Sequence, residues 1–476
     1  MIGKKRRHKM SWIVKLAIVL LYLGLVIAPY AYEPQVSEET AASFDAADFY
    51  GDGETGERAM IISDNTEALA ERIRLISQAE ERVILSTFDF NADTSGKMML
   101  AALADAAGRG VEVQILVDGF QYFMGMKWNP YFLAVSELEN VTLKVYNPVN
   151  LLKPWTIMGR LHDKYVIVDD EAYILGGRNT YDFFLGDYSD IKNYDWDFYV
   201  YCGDVEESES LGELLEYFDS VWNLKCTKVM WENKFFKNHP SVVGAREELE
   251  TIYADMQTEH ADWFGEVDEE ERTVPVDNIK LVSNPVTTAT KEPTCFYTLT
   301  ELMKNAGEEV VFHTPYMIMN TWMFGQLTDL CDSVPSVTVM TNSAANNGNP
   351  FGAMDYQVNK ERILETGVDV LEYDGGGTDI SYHGKCFTID GRLSAIGSYN
   401  WDLRSTYVDT ELMLVIDSEE LCALMREEME AYEDDALRVT GLDTYEDGAA
   451  TKEMSTKSKV KTTLIRVFGY WLRFLM

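Results

Sequence analysis

The apolar and polar positions of the chain spell out one series of elements twice. A stretch of helical periodicity containing ALAERIRLISQAE runs into the apolar segment RVILSTFDF, and far downstream LTELMKNAGEE runs into VVFHTPYMI. The Val-rich alternation GVEVQILVDG, around Val113 to Asp118, has its counterpart in SVTVMTNS, around Val337 to Asn342. NVTLKVYNP around Val141 likewise answers to GVDVLEYDG around Val368. Helix, strand, helix, strand and a further strand therefore recur at an offset of roughly 220 to 230 residues, which marks an internal duplication. Strands alternating with helices predict an α/β fold with largely parallel sheet covered by helices.

The same pattern divides the chain. Residues 1–33 are a basic leader and an apolar span, 34–58 a linker, 59–240 a first domain, 241–278 an acidic linker, 279–440 a second domain and 441–476 a basic tail. MIGKKRRHKM carries five cations, and Trp12 to Tyr32 is apolar except for Lys15, long enough to cross a bilayer. Cations before the span and acids after it place the N-terminus in the cytoplasm and the remainder outside, in a single-pass arrangement at the cell membrane. A cleaved signal peptide is the competing reading, because APYAY offers small residues near the right place. In the tail, Leu464, Val467, Phe468, Trp471, Leu472 and Leu475 share one helical face, with Lys461, Arg466 and Arg473 near the polar side. This suits a helix on an anionic bilayer, or else one docked on the protein.

Charge narrows the partners. Against 41 Lys and Arg stand 79 Asp and Glu, a formal charge of -38, so the mean field repels polyanions and nucleic acid is not expected to bind. The six cysteines are scattered without zinc-ligand spacing and read as small buried hydrophobes; no metal and no cofactor are expected.

Each half contains one strand with the same chemistry. HDKYVIVD supplies His162, Lys164 and Asp169, and HGKCFTID supplies His383, Lys385 and Asp390. Residues i and i+2 of a strand project from one face, so imidazole and ammonium can reach a common phosphate. Seven positions after each Asp begins a glycine-containing turn, GGRN ending at Asn179 and GSYN ending at Asn400, which offers further donors together with Ser398. A phosphodiester needs a nucleophile, charge neutralisation and a proton for the departing alkoxide. Two histidines can divide that work, one attacking phosphorus and the other acting as acid and base, while Lys164, Lys385, Asn179 and Asn400 hold the non-bridging oxygens. Opposite protonation states require a carboxylate on each imidazole, and Asp197 and Glu411, at the starts of apolar strands after the two motifs, are the residues expected to orient the histidines. His313 reads as a core or rim histidine.

These motifs, with GSYNWDLRSTYVDTE, GGRNTYDFF, DWDFYV, HTPYM and MTNSAANN, resemble the phospholipase D superfamily and within it the bacterial cardiolipin synthases, over roughly residues 60 to 435. The resemblance implies two duplicated α/β/α sandwich domains related by a pseudo-two-fold, one site between them, and a ping-pong reaction on a phospholipid through a phosphohistidine. It further implies His162 as nucleophile, His383 as acid and base, and a structural part for Asp169 and Asp390. Gly177 departs from the pattern, standing where many members carry Ser. Phosphatidyl transfer, as in cardiolipin synthesis from phosphatidylglycerol, is the reaction expected; hydrolysis and a catalytically idle membrane-associated protein are the alternatives.

Overall fold

A computed structural model of the chain describes residues 2–53, 55–203, 208–230, 236–375 and 380–476, without the side chains of residues 2–11, 447 and 468. The cations of the leader and the side chain of Phe468 thus lie outside the described residues. Each half contributes seven principal strands. In the first these are β1 (Arg58–Ile62), β2 (Arg82–Thr87), β3 (Glu112–Asp118), β4 (Val141–Tyr146), β5 (Lys164–Val168), β6 (Ala172–Gly176) and β7 (Asp197–Tyr201). In the second they are β8 (Asn278–Ser283), β9 (Glu309–His313), β10 (Ser336–Asn342), β11 (Asp369–Tyr373), β12 (Cys386–Ile389), β13 (Leu393–Gly397) and β14 (Leu412–Asp417).

The two sheets repeat one another strand for strand, in the orders β1-β7-β6-β5-β2-β3-β4 and β8-β14-β13-β12-β9-β10-β11. Short strands extend the edges, Val274–Pro275 and Lys228–Val229 in the first sheet and Ala436–Gly441 with Thr444–Tyr445 in the second. The duplicated α/β architecture is therefore present, but the sheets are mixed. Only β2–β3–β4 and β9–β10–β11 run parallel, and the remaining principal neighbours are antiparallel. The helical crossovers that enforce parallel pairing lie only in the early part of each half. After each motif strand the chain turns back through a hairpin, which dictates antiparallel pairing.

Both faces of each sheet are covered, so the central strands are apolar throughout. On β5, Val166 and Val168 join the outer core under the helices Asn65–Gln78 and Thr94–Arg109, while Tyr165 and Ile167 face inward. The inward set is shared. Tyr165, Ile167, Leu175 and Phe198 of the first half lie in one hydrophobic cluster with Cys386, Ile396, Leu412 and Leu414 of the second, together with the helices Glu209–Trp222 and Glu419–Glu433. The two halves are thus joined by a common core.

The acidic stretch 241–278, expected as linker, begins in the helix Pro240–Glu259, which buries Val242, Ala245, Leu249 and Met256 on the first domain. Its acids face solvent, while apolar residues three to seven apart cover the core. Cys202, Cys295, Cys386 and Cys422 are buried free thiols, and Cys226 and Cys331 are half-buried. An apolar span, Trp12–Tyr30, begins within the helix Ile2–Ile27 and ends at the buried Tyr30; its mean hydropathy is 2.3, residues 12–21 are exposed, and it is long and apolar enough to cross a membrane.

Candidate active site

The two histidine motifs end up at the junction of the domains, and each is held by the other half. His162 precedes β5. Its backbone N–H donates to Thr410 Oγ1 at 2.9 Å, and its Nδ1 lies 2.9 and 3.1 Å from the two carboxylate oxygens of Glu411. His383 follows the short strand Ser381–Tyr382, which pairs in parallel with Asn193–Tyr194 of the first half. Its backbone N–H donates to the Tyr194 carbonyl at 2.7 Å, and its Nδ1 lies 2.6 Å from Asp195 Oδ2.

The carboxylate on His383 is Asp195, not Asp197. Asp197 is fully buried in an ion-pair cluster with Arg72 (2.8 Å) and Arg178 (3.0 Å), which ties β7 to the helix Asn65–Gln78. Strand register explains the two-residue difference. Gly176 pairs with Asp197 and the equivalent Gly397 pairs with Met413, so the residue corresponding to Glu411 stands two before Asp197. That register is a pairing across strands and is invisible in the linear spacing.

The lysines lie beneath the histidines. Lys164 Nζ donates to the His162 carbonyl at 2.5 Å; Lys385 Nζ reaches Asp195 at 3.3 Å and the His383 ring and carbonyl. All four side chains are close enough for each cation to depress the opposite histidine. Burial pushes His162 well below the usual imidazole range, with Lys164 and Lys385 adding to it. Burial likewise lowers His383 to about 4, reinforced by Lys385 and Lys164. The two carboxylates diverge. Burial would raise Asp195, but Lys385 and His383 hold it down to about 2; burial raises Glu411 to about 7 against the pull of Lys164 and a hydrogen bond from Ser398.

Ser398, expected to bind phosphate, is instead committed to Glu411: its Oγ donates to Glu411 Oε2 at 2.5 Å and accepts the Leu412 N–H at 3.0 Å. The opposite half has Gly177 at this place for a steric reason. A Cβ there would stand 2.1 Å from Asp195 Oδ1, so the shorter carboxylate occupies the space that the serine hydroxyl fills in the second half. Gly384 answers a second crowding, since a Cβ would fall 2.5 Å from the indole of Trp196.

Asp169 and Asp390, grouped with the catalytic residues on spacing, sit at the far ends of their strands, roughly 16 Å along the backbone from the lysines. Each adopts φ 52° and accepts three backbone N–H groups. Asp169 binds those of Glu80, Glu81 and Arg82 at 2.6 to 2.9 Å, and Asp390 those of Gly307, Glu308 and Glu309 at 2.6 to 2.9 Å. They fasten the hairpin turn to the start of β2 or β9.

Asn179 and Asn400 are buried, and each has its amide oxygen without a hydrogen-bond partner among the described residues. A half-turn of the amide presents its donors instead. Asn179 and His383 line a cavity of about 520 Å³ whose wall includes Asn193, Asn342, Asn346 and Asn347. Two aromatic rings also meet the histidines edge-on, Phe88 on His162 and Phe184 on His383, both at 5.1 Å. They lie in the STFDF and YDFF segments, whose aromatic clustering is the one signal for them in sequence. His313 is a buried core histidine with both ring nitrogens occupied, by Tyr382 at 2.8 Å and Glu433 at 2.9 Å.

The family described as cardiolipin synthase, PLD-like domain, matches residues 72–222 and 299–432, both halves of the duplication. The chain belongs to that family. Its phospholipase D-like relatives include cardiolipin synthase C of Escherichia coli K12, 23% identical over 446 residues that cover 87% of this chain and 93% of the relative. An uncharacterized protein of Helicobacter pylori is 22% identical over 401 residues, 76% of each chain. Among solved structures, the phosphatidylserine synthase of Haemophilus influenzae Rd KW20 superimposes with a TM-score of 0.63 at 16% identity, over 88% of this chain and 95% of that one, which shows the shared phospholipase D fold.

Proposed function

We propose that the chain is a phosphatidyltransferase working through a phosphohistidine, with phosphatidylglycerol or a related phospholipid as donor and cardiolipin as product. The observation that carries this reading is the crossed pairing of Glu411 with His162 and Asp195 with His383, which makes one site from two halves.

His162 is fitted to be the nucleophile. Burial keeps it a neutral imidazole, and Glu411 orients it through Nδ1, leaving Nε2 to attack phosphorus. His383 faces an ionised Asp195, which stabilises an imidazolium. A bound phosphodiester supplies a further negative charge and raises the affinity of His383 for a proton. That proton passes from Nε2 to the departing alkoxide as the P–O bond breaks, and His383 then accepts one from the incoming hydroxyl as the phosphohistidine is resolved. Lys164, Lys385 and the amides of Asn179 and Asn400 hold the non-bridging oxygens.

The cavity beside His383 favours an alcohol acceptor over water. Its wall of neutral amides, with Ser381 and Lys192, offers several donors and acceptors to a polyol headgroup. Cardiolipin synthase C of Escherichia coli K12, a relative whose match covers 87% of this chain, bears the name of such a transferase. The N-terminal span would anchor the enzyme in the cell membrane, with the catalytic domains outside the cytoplasm. The test is to incubate the protein with labelled phosphatidylglycerol and follow the products. Cardiolipin with free glycerol supports transfer; phosphatidic acid as the sole product would replace transfer with hydrolysis.

A further inference from the structure

The apolar span, the loop Asn150–Thr156 and the C-terminal tail converge on one side of the molecule, close to His162. Tyr30, at the end of the span, is buried, with its hydroxyl 3.0 Å from the carbonyl oxygens of Trp155 and Thr288 and accepting the Gly159 N–H at 3.3 Å. Gly159 stands three positions before His162, a reach of at most about 10 Å. Eight residues before Tyr30, Tyr22 donates its hydroxyl to the Leu151 carbonyl at 3.0 Å. Eight residues of helix are about 12 Å, so the loop runs beside the span and well down its length. This loop presents apolar side chains outward, with Leu152 87% exposed and Leu151 and Trp155 also open to solvent.

The tail meets the base of the same span. Arg404 binds the Leu475 carbonyl at 3.3 Å and the Met158 carbonyl at 2.7 Å, next to Gly159, while its backbone N–H donates to the Met476 carbonyl. Leu472, Phe474 and Met476 pack on the core cluster that also receives Ile27. The helix Thr456–Phe468 lies on the helix Pro350–Glu365, burying Thr462. Its other side exposes Val460, Leu464 and Val467, followed by Trp471 at 81% exposure. The single apolar face expected from the sequence is thus split. Helix geometry breaks at Gly469, so Leu472 and Leu475 turn to the protein while Leu464, Val467 and Trp471 turn away.

We infer that the loop Asn150–Thr156 and the outward face of the tail form a collar, seated in the bilayer around the exit of the span, that holds the catalytic cavity at headgroup depth. This rests on the anchored reading above. Two observations point to lipid and not to a protein partner. The exposed apolar residues are continuous with a span whose residues 12–21 and 23–25 are exposed, and the helix carries Lys457, Lys459, Lys461 and Arg466, all exposed, with no acid after Glu453 in a chain of charge -38. Cations beside an exposed apolar stripe suit the boundary between anionic headgroups and acyl chains. At the other end of the tail, Lys452 lines the cavity that contains His383, so the tail connects the cavity rim to the anchor.

Full-length protein in vesicles of phosphatidylglycerol and phosphatidylethanolamine tests this, with a bimane label placed singly at Leu152→Cys, Trp471→Cys, Leu20→Cys or Leu424→Cys. The half-buried Cys226 and Cys331 are replaced by Ser. Leu20 reports the span, and Leu424 is an exposed apolar residue on the distant helix Glu419–Glu433. Lipids brominated on their acyl chains should quench the labels at 152, 471 and 20 at least twofold more than the label at 424. Quenching at 20 alone, with 152 and 471 as open to aqueous iodide as 424, would overturn the collar while leaving the anchor in place. Absence of quenching at 20 as well would remove both. Because the readout needs no turnover, a failure of phosphatidyl transfer would leave it unaffected.

Discussion

Glu411, on the second domain, holds Nδ1 of His162, on the first, at 2.9 Å. The reciprocal bond runs from Asp195 of the first domain to His383 of the second. Neither half therefore owns a complete histidine and carboxylate pair. Duplication here yields one site by exchange of supporting residues, and the shared core beneath keeps the two halves in the necessary register.

Glu411→Gln retains the shape of the side chain but removes the charge that fixes the His162 tautomer. We expect kcat to fall about 100-fold or more, within the range for lost acid and base function, with little change in melting temperature. Steady-state assays on phosphatidylglycerol vesicles beside thermal unfolding would show it. Wild-type kcat in Glu411→Gln would remove Glu411 from the machinery.

Asp195 and Asp197 stand two residues apart and should fail differently. Asp195→Asn loosens His383 and is expected to lower kcat strongly in a folded protein. Asp197→Asn leaves Arg72 and Arg178 buried without their counterion. Breaking such a buried pair costs about 3–5 kcal/mol, so this variant should be mainly unstable. Urea unfolding and activity measured on both variants separate the two roles; equal loss of stability would contradict the assignment.

The duplication and the position of both motif strands are legible from sequence because they follow short-range periodicity and spacing. What escaped was set by pairing across strands. The choice of Asp195 over Asp197 depends on the partner of Gly176 in the sheet, and the engagement of Ser398 depends on Glu411 lying opposite it. The mixed sheet escaped for a related reason. A strand in HDKYVIVD reads alike whether its neighbour runs up or down, and only the short hairpin between β5 and β6 decides the direction.

Asp390 accepts three backbone N–H groups from a left-handed conformation, and that arrangement makes a stability prediction. Asp390→Ala should cost about 1–3 kcal/mol, as expected for losing a charged cap at a partly solvated site, while kcat of the folded fraction stays near wild type. Burial alone would raise this carboxyl, but the three N–H donors hold it below its usual value. Its contribution is therefore present above the unfolded value and lost as pH falls through the folded one. The stability gap between wild type and variant should accordingly narrow in acid, which urea titrations at a series of pH values would reveal.

Lys164 carries the last prediction, because burial makes its charge labile. Burial lowers it to about 7, although Glu411 pulls it upward. A lysine with a lowered value sheds its proton as pH rises through that value, and the neutral amine no longer stabilises charge on a phosphoryl oxygen. The alkaline limb of kcat/KM should therefore begin near pH 7, well below the ordinary lysine range, since this parameter reports the free enzyme. Lys164→Arg retains a permanent cation but adds bulk where the site is closed, so its maximal rate should drop. Its alkaline limb should nevertheless move to higher pH. A pH profile of Lys164→Arg with the limb unmoved would assign that titration to another group.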